Sequence, residues 1–242
     1  MDVKDNEKED YLHIGLAPAY GTLTSESMKM MDDHLKIMIS GTLRLLEKKR
    51  KQLSGPLSWD DLLSILMQNP LIEPDNSITG SKVDRADKLI KPATVNFFKI
   101  SGAPDPSVVR EVETWFTNFI GDQDILDSTM IDIKVMAEIV AQTGATVDSV
   151  AALIHKIEHH EKTLVDIGVL RFPDPDHPYF KVYRIRLTAW SVSARYLAWQ
   201  EDSNGITGEL NVRNFRPRRS VLDKMKEDVK DKAVEEAEDI FS

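Results

Sequence analysis

The chain reads as a mainly α protein with a small β-hairpin. An N-terminal helical region precedes a winged helix-turn-helix-like domain, and a charged helix closes the chain. Three observations predict this class. The apolar pattern of residues 131–187 changes from helical to alternating spacing within one compact stretch. An amphipathic segment with Trp115, Phe116 and Phe119 leads into it. A heptad-like seam of apolar residues occupies the first part of the chain.

Taken in order, residues 1–22 form a weakly structured acidic leader, without the basic-then-apolar layout of a signal peptide. The N-terminal helical region covers residues 23–103. Its first helix starts at Thr24 or Ser25 and carries Met28, Met31, Leu35, Met38, Thr42 and Leu45 at alternating steps of three and four. Met28, Met31, Leu35, Met38 and Leu45 are the candidate oligomerisation seam; packing inside the same chain is the competing use. Lys48, Lys49, Arg50 and Lys51 at the end of this helix resemble a nuclear-import cluster, and equally suit the negative end of the helix dipole. Ser54, Gly55 and Pro56 break the helix, and Ser58 with Asp61 caps a short apolar one ending before Pro70. Residues 73–81 read as loop, and residues 92–100 as either a strand or a short helix.

The next region, residues 104–200, opens with Asp105-Pro106, an N-cap followed by proline at the first helical position. Residues 132–142 and 147–166 then predict two helices joined by a short turn at Gly144, with Gly168 closing the second. Residues 169–172 and 180–187 predict a hairpin around the proline-rich 173–178. In its second strand Phe180, Val182, Arg184 and Arg186 point one way, and Lys181, Tyr183, Ile185 and Leu187 the other. Residues 188–200 read as an apolar helix. The last region, residues 201–242, reads as a turn at 202–205, a strand pair around Gly208, an arginine-rich segment and a charged helix over 221–241.

Charge and composition narrow the function. The net charge of −9 argues against wholesale coating of nucleic acid. Yet residues 178–219 hold eight bases against three acids, and the tail beyond them reverses the sign. Zero cysteines exclude disulfides and thiolate metal sites. No apolar run reaches the ~20 residues of a membrane helix, so a cytoplasmic or nuclear protein is expected. Hydrolase elbows, phosphate loops and dinucleotide fingerprints are missing. His155 and His159, four apart on the expected second helix, offer two zinc ligands or a polar helix face.

Two functional expectations result, neither with a cofactor, a metal or a small-molecule substrate. One is a non-enzymatic nucleic-acid-associated or adaptor protein. Lys181, Arg184, Arg186, Arg213, Arg216, Arg218 and Arg219 would form its binding surface, interleaved with Tyr179, Phe180 and Tyr183. Snorkelling of those arginines from a partly buried strand is the bland alternative. The other is a homo-oligomeric assembly protein, viral structural or matrix-like, in which the winged unit makes protein contacts.

Overall fold

The computed structural model describes residues 10–16, 25–52, 58–77, 80–97, 104–142, 155–196, 199–224 and 226–232. The elements are β1 (Asp10–Leu16), α1 (Glu26–Gln52), α2 (Trp59–Leu66), β2 (Ile72–Pro74), β3 (Lys82–Phe97), α3 (Pro106–Ile120), α4 (Gln123–Ser128) and α5 (Ile133–Ala141). They continue as β4 (His155–Phe172), β5 (Tyr179–Tyr196), β6 (Trp199–Pro217) and α6 (Arg219–Leu222). A further helical stretch covers residues 227–232.

The expected mainly α class is overturned. An antiparallel sheet dominates the C-terminal half, with five strands in the order β1-β4-β5-β6-β2 and β3 pairing with β6 as a sixth. β2 is antiparallel to β6, with Glu73 opposite Arg216. The expected winged helix is not formed among the described residues, because residues 155–166 of its second helix belong to the strand β4. Residues 143–154, which hold the expected turn, lie outside the described residues.

The physical cause is visible in residues 163–171. Leu164 to Arg171 are all buried, as in an interior strand covered on both faces. Such a strand loses its alternation, and its apolar spacing imitates a helix. Gly168 is not a helix cap either. A Cβ at this position would come closer than 3.0 Å to the Tyr183 ring of the neighbouring strand. Glycine is there to let an aromatic lie flat across the backbone.

Other expectations change for related reasons. Residues 188–196 continue β5 rather than forming a helix. Residues 202–205 belong to β6, which runs unbroken through Gly208. Residues 82–97 are strand, which decides the ambiguous segment as far as Phe97. β1 lies inside the supposed unstructured leader. The closing helix is broken into α6 and the helical stretch at 227–232.

Two compact units divide the chain, each assembled from separated segments. Unit 1 comprises residues 1–13, 85–166 and 185–210; unit 2 comprises residues 14–84, 167–184 and 211–242.

In unit 1 the three helices α3, α4 and α5 lie on one face of the strands. The Asp105 side chain accepts from the Ser107 amide with Pro106 in the first turn, and Gly121 at φ 60° ends α3. Phe119 rests on Gly208, where a Cβ would lie 2.8 Å from its ring. The side-chain amide of Asn204 donates to the Val140 carbonyl at the end of α5. Asp166 in β4 accepts from Thr129 Oγ1 (2.5 Å) and the Met130 amide (3.1 Å) after α4.

In unit 2, α1 and α2 cover strands. Ile39 and Leu46 from α1 and Leu62 and Leu66 from α2 meet Ile167, Val169, Phe180 and Val182. Each such side chain, fully buried, contributes about 1.5–3 kcal/mol. Polar ties fix the helix positions. Asn69 Nδ2 donates to the Met38 carbonyl and to Thr42 Oγ1, both at 2.9 Å. A buried ion pair joins Arg171 Nε to Asp32 Oδ1 at 2.8 Å, and Lys36 reaches the other Asp32 oxygen at 3.3 Å.

Candidate functional site

Within unit 1, side-chain pairs identify which residues share the sheet face that α3–α5 leave bare. Thr163 and Thr188 are hydrogen-bonded at 2.9 Å, so odd positions of β4 and even positions of β5 lie together. Trp190 packs on Gly205, where a Cβ would meet the indole at 2.7 Å, which adds the odd positions of β6. The even positions of β3 join this face. Its odd positions face α3, since Trp115 Nε1 donates to Asp87 and Arg85 donates to the Phe119 carbonyl.

The helical side of β6 is buried and this outer side is not. From Trp199 to Leu210 the even positions of β6 are all buried, while Trp199, Glu201 and Glu209 are exposed. Trp199 is 66% exposed, Ile157 54% and Ile90 48%. Trp190, Val192 and Ala194 are half-buried between them. No described helix or strand covers this apolar surface. Charges of both signs surround it: Arg186 pairs with Glu209 at 3.6 Å and His159 with Glu161 at 3.5 Å. Ala86, Lys88, Arg186, Thr207 and Glu209 enclose an open depression of about 470 Å³ on the same face.

The arginines expected to contact nucleic acid do not converge on one surface. Lys181 and Arg184 are only 9% and 7% exposed, with the Lys181 ammonium 5.4 Å from the centre of the Phe172 ring. Phe172 and Tyr179 stack on each other at 4.4 Å, and Phe180 and Tyr183 are buried, so none is an open stacking platform. Arg186 belongs to the outer face of unit 1. Arg213 lies over Trp59 and pairs with Asp84 at 2.8 Å. That hydrogen bond is the main reason the Asp84 carboxyl sits below its ordinary range, against the opposing effect of burial.

Arg216, Arg218 and Arg219 do come together, at the end of β6 in unit 2. Arg216 Nε pairs with Glu73 at 2.8 Å and Arg218 Nε with its other oxygen at 3.7 Å. Arg219 donates to the Asp176 carbonyl at 3.5 Å. With His177, Arg216 and Arg219 border a cleft of about 290 Å³. Beneath His177 lies a contact that sequence reasoning missed. Its Nε2 is 2.9 Å from Asp75 Oδ2 and 3.4 Å from Ser77 Oγ, and Asp75 is buried. Burial would raise the Asp75 carboxyl, but hydrogen bonds from Ser77 and His177 prevail and hold it below the ordinary value. These residues are not a nucleophilic triad. Serine and carboxylate share one imidazole nitrogen, and Ser77 donates to Asp75 at 2.6 Å instead of to histidine. A separation of about 100 residues left no local signal of this group.

The remaining candidates resolve individually. Leu35 and Met38 are completely buried inside the chain, whereas Met28 and Met31 are half-buried. The Leu45 side chain lies outside the described residues. Lys48 is exposed on α1, and the side chains of Lys49, Arg50 and Lys51 are outside the described set. His155 and His159 sit on a strand, which spaces their backbones by about 13 Å and removes the helical zinc geometry. No group of three metal-ligating side chains occurs among the described residues. Nor is any described helix long and apolar enough to cross a membrane. Comparison with protein-family models, with curated proteins and with solved structures gives no match.

Proposed function

We propose that this protein is a non-enzymatic structural or assembly subunit that associates with copies of itself through the outer sheet face of unit 1. The observation that carries the reading is the grouping of Trp199, Ile157 and Ile90 on a face without a described covering element. Large aromatic and aliphatic side chains in such a patch are typical of interfaces. The charges favour a second copy, because Lys88 and Arg186 lie beside Glu161, Glu201 and Glu209 on the same surface. A two-fold axis can set such a face against itself with opposite charges in register.

Size and edge chemistry shape the contact. Four strands about 4.8 Å apart and roughly eight residues long give a patch of about 500 Å². A pair then buries about 1,000 Å², near the lower bound for a specific interface, so association is expected in the micromolar range. Edge-to-edge addition is disfavoured. β3 pairs only with β6 among the described strands and carries Lys82, Asp84, Arg85, Asp87, Lys88 and Lys91. A matrix-like layer would need a second contact beyond this closed pair.

Sedimentation of the full chain from about 1 to 100 µM tests the reading. Concentration-dependent dimerisation is expected, and Trp199→Glu with Ile157→Glu is expected to weaken it about 100-fold, with an unchanged circular dichroism spectrum. A monomer throughout that range, or a variant that associates as the wild type does, would overturn the proposal.

A further inference from the structure

We infer that the cleft bordered by His177, Arg216 and Arg219 in unit 2 binds one phosphate monoester group of a small ligand. The inference stands on its own observations and does not depend on self-association.

Arg216 and Arg219 line the cleft, with Arg218 between them in sequence, and Glu73 and Asp176 are the carboxylates that line it with them. Arg216 and Arg218 share the single carboxylate of Glu73. The Arg219 side chain makes one hydrogen bond among the described residues, a long one to a neutral carbonyl. Its remaining N–H groups are available to an oxyanion in the planar fork that suits phosphate. Arg216 is held by its cross-strand place opposite Glu73, and the Arg218 amide donates to the Leu71 carbonyl at 2.7 Å. The arginine segment is thus positioned before a ligand arrives.

The opposite wall is equally well held. Asp174 Oδ1 accepts from the amides of Asp176 (2.9 Å) and His177 (3.3 Å), which shapes the loop between β4 and β5. Buried Asp75 takes the Nε2 side of His177 and orients the ring, leaving Nδ1 uncommitted among the described residues. Pro178 and Pro217 also line the cleft and restrict its backbone.

Volume and flanking charge select the ligand class. About 290 Å³ accommodates a phosphate with a small attached group. Glu73 and Asp176, which also line the cleft, would repel further negative charges brought by a polyanion. A single phosphate on a small molecule therefore fits better than a nucleic-acid backbone.

Calorimetric titration of the full chain with inorganic phosphate and with glycerol 3-phosphate tests this inference. Saturable one-to-one binding is expected, tighter for the monoester. Arg219→Gln, at an exposed position, is expected to weaken it about tenfold without lowering the unfolding temperature. Arg110→Gln on α3 should leave it unchanged. No saturation by about 50 mM of either ligand would overturn the inference, as would binding indifferent to Arg219→Gln. Much tighter, steeply salt-dependent binding of a single-stranded oligonucleotide would replace it with a polyanion surface.

Discussion

Gly168→Ala tests the strand assignment of β4 with a result that a helix cap would not give. In the strand, the added methyl group enters space occupied by Tyr183, at less than 3.0 Å from its ring. The ring is only 1% exposed and has little freedom to withdraw. Overpacking of this type costs about 1–3 kcal/mol. Gly168 does not have a positive φ, since only Gly80 and Gly121 do among the described glycines, so backbone strain contributes nothing. Tyr183→Leu alone should cost about 2–4 kcal/mol through lost packing. Combined with Gly168→Ala it should cost at least 1 kcal/mol less than the two separate losses together, because the clashing ring has gone. Urea unfolding followed by circular dichroism and tryptophan fluorescence measures all four proteins, provided the two transitions coincide. Additivity within about 0.5 kcal/mol would refute the close approach, and with it the pairing of β4 with β5.

Two further outcomes are expected. Asp32→Ala should cost about 3–5 kcal/mol in urea unfolding, because it removes the carboxylate that the buried Arg171 and Lys36 share. Asp32→Leu with Arg171→Met should recover most of that loss, and equal destabilisation by both variants would count against a desolvated pair. The Asp75 carboxyl lies below its ordinary value in the folded chain, so the unfolded chain binds its proton at higher pH. Its stabilisation is therefore complete above the ordinary carboxylate range, and is lost as pH falls below about 4 through the lowered folded value. Thermal unfolding between about pH 2 and 6 should show a shallower acid decline for Asp75→Asn, and parallel curves would remove the linkage.

How much of this fold the residues reveal depends on what surrounds each segment. α3 was legible because its signals were local: Asp105 and Pro106 at its start, then one amphipathic stripe. β4 was not, because burial on both faces makes Leu164–Leu170 apolar at every position but Asp166 and Gly168 and erases the period of 2. Residues 188–194 do alternate, but Trp190, Val192 and Ala194 occupy the outer side while Ala189, Ser191 and Ser193 are buried. The small polar residues were therefore inside and the larger apolar ones outside, the reverse of what a core-facing pattern signals. Asp202 explains part of that inversion. It is buried and accepts from Ser193 Oγ (2.6 Å) and Gln200 Nε2 (2.9 Å), so this end of the hairpin has a polar interior.

The candidate sites were legible to the same uneven degree, and β5 shows why. Strand periodicity correctly separates Phe180, Val182, Arg184 and Arg186 from Lys181, Tyr183, Ile185 and Leu187, but it cannot say whether a second layer covers either set. Residues 180–185 are buried throughout, whereas Arg186 is half-exposed and begins the open face of unit 1. Arginines two residues apart on the same side thus have different electrostatic surroundings. Arg184 has lost its solvent, while Arg186 retains it and meets Glu209 across the strands. A count of bases along the segment treats them as equals and overestimates the positive surface. The apolar outer face is underestimated for the same reason, because Ile157, Trp199 and Ile90 come from three strands distant in sequence. Only the pairing of those strands makes them neighbours. The proposed association through that face therefore depends on the sheet register, and it should vanish with register-disrupting changes even where Trp199 itself is kept.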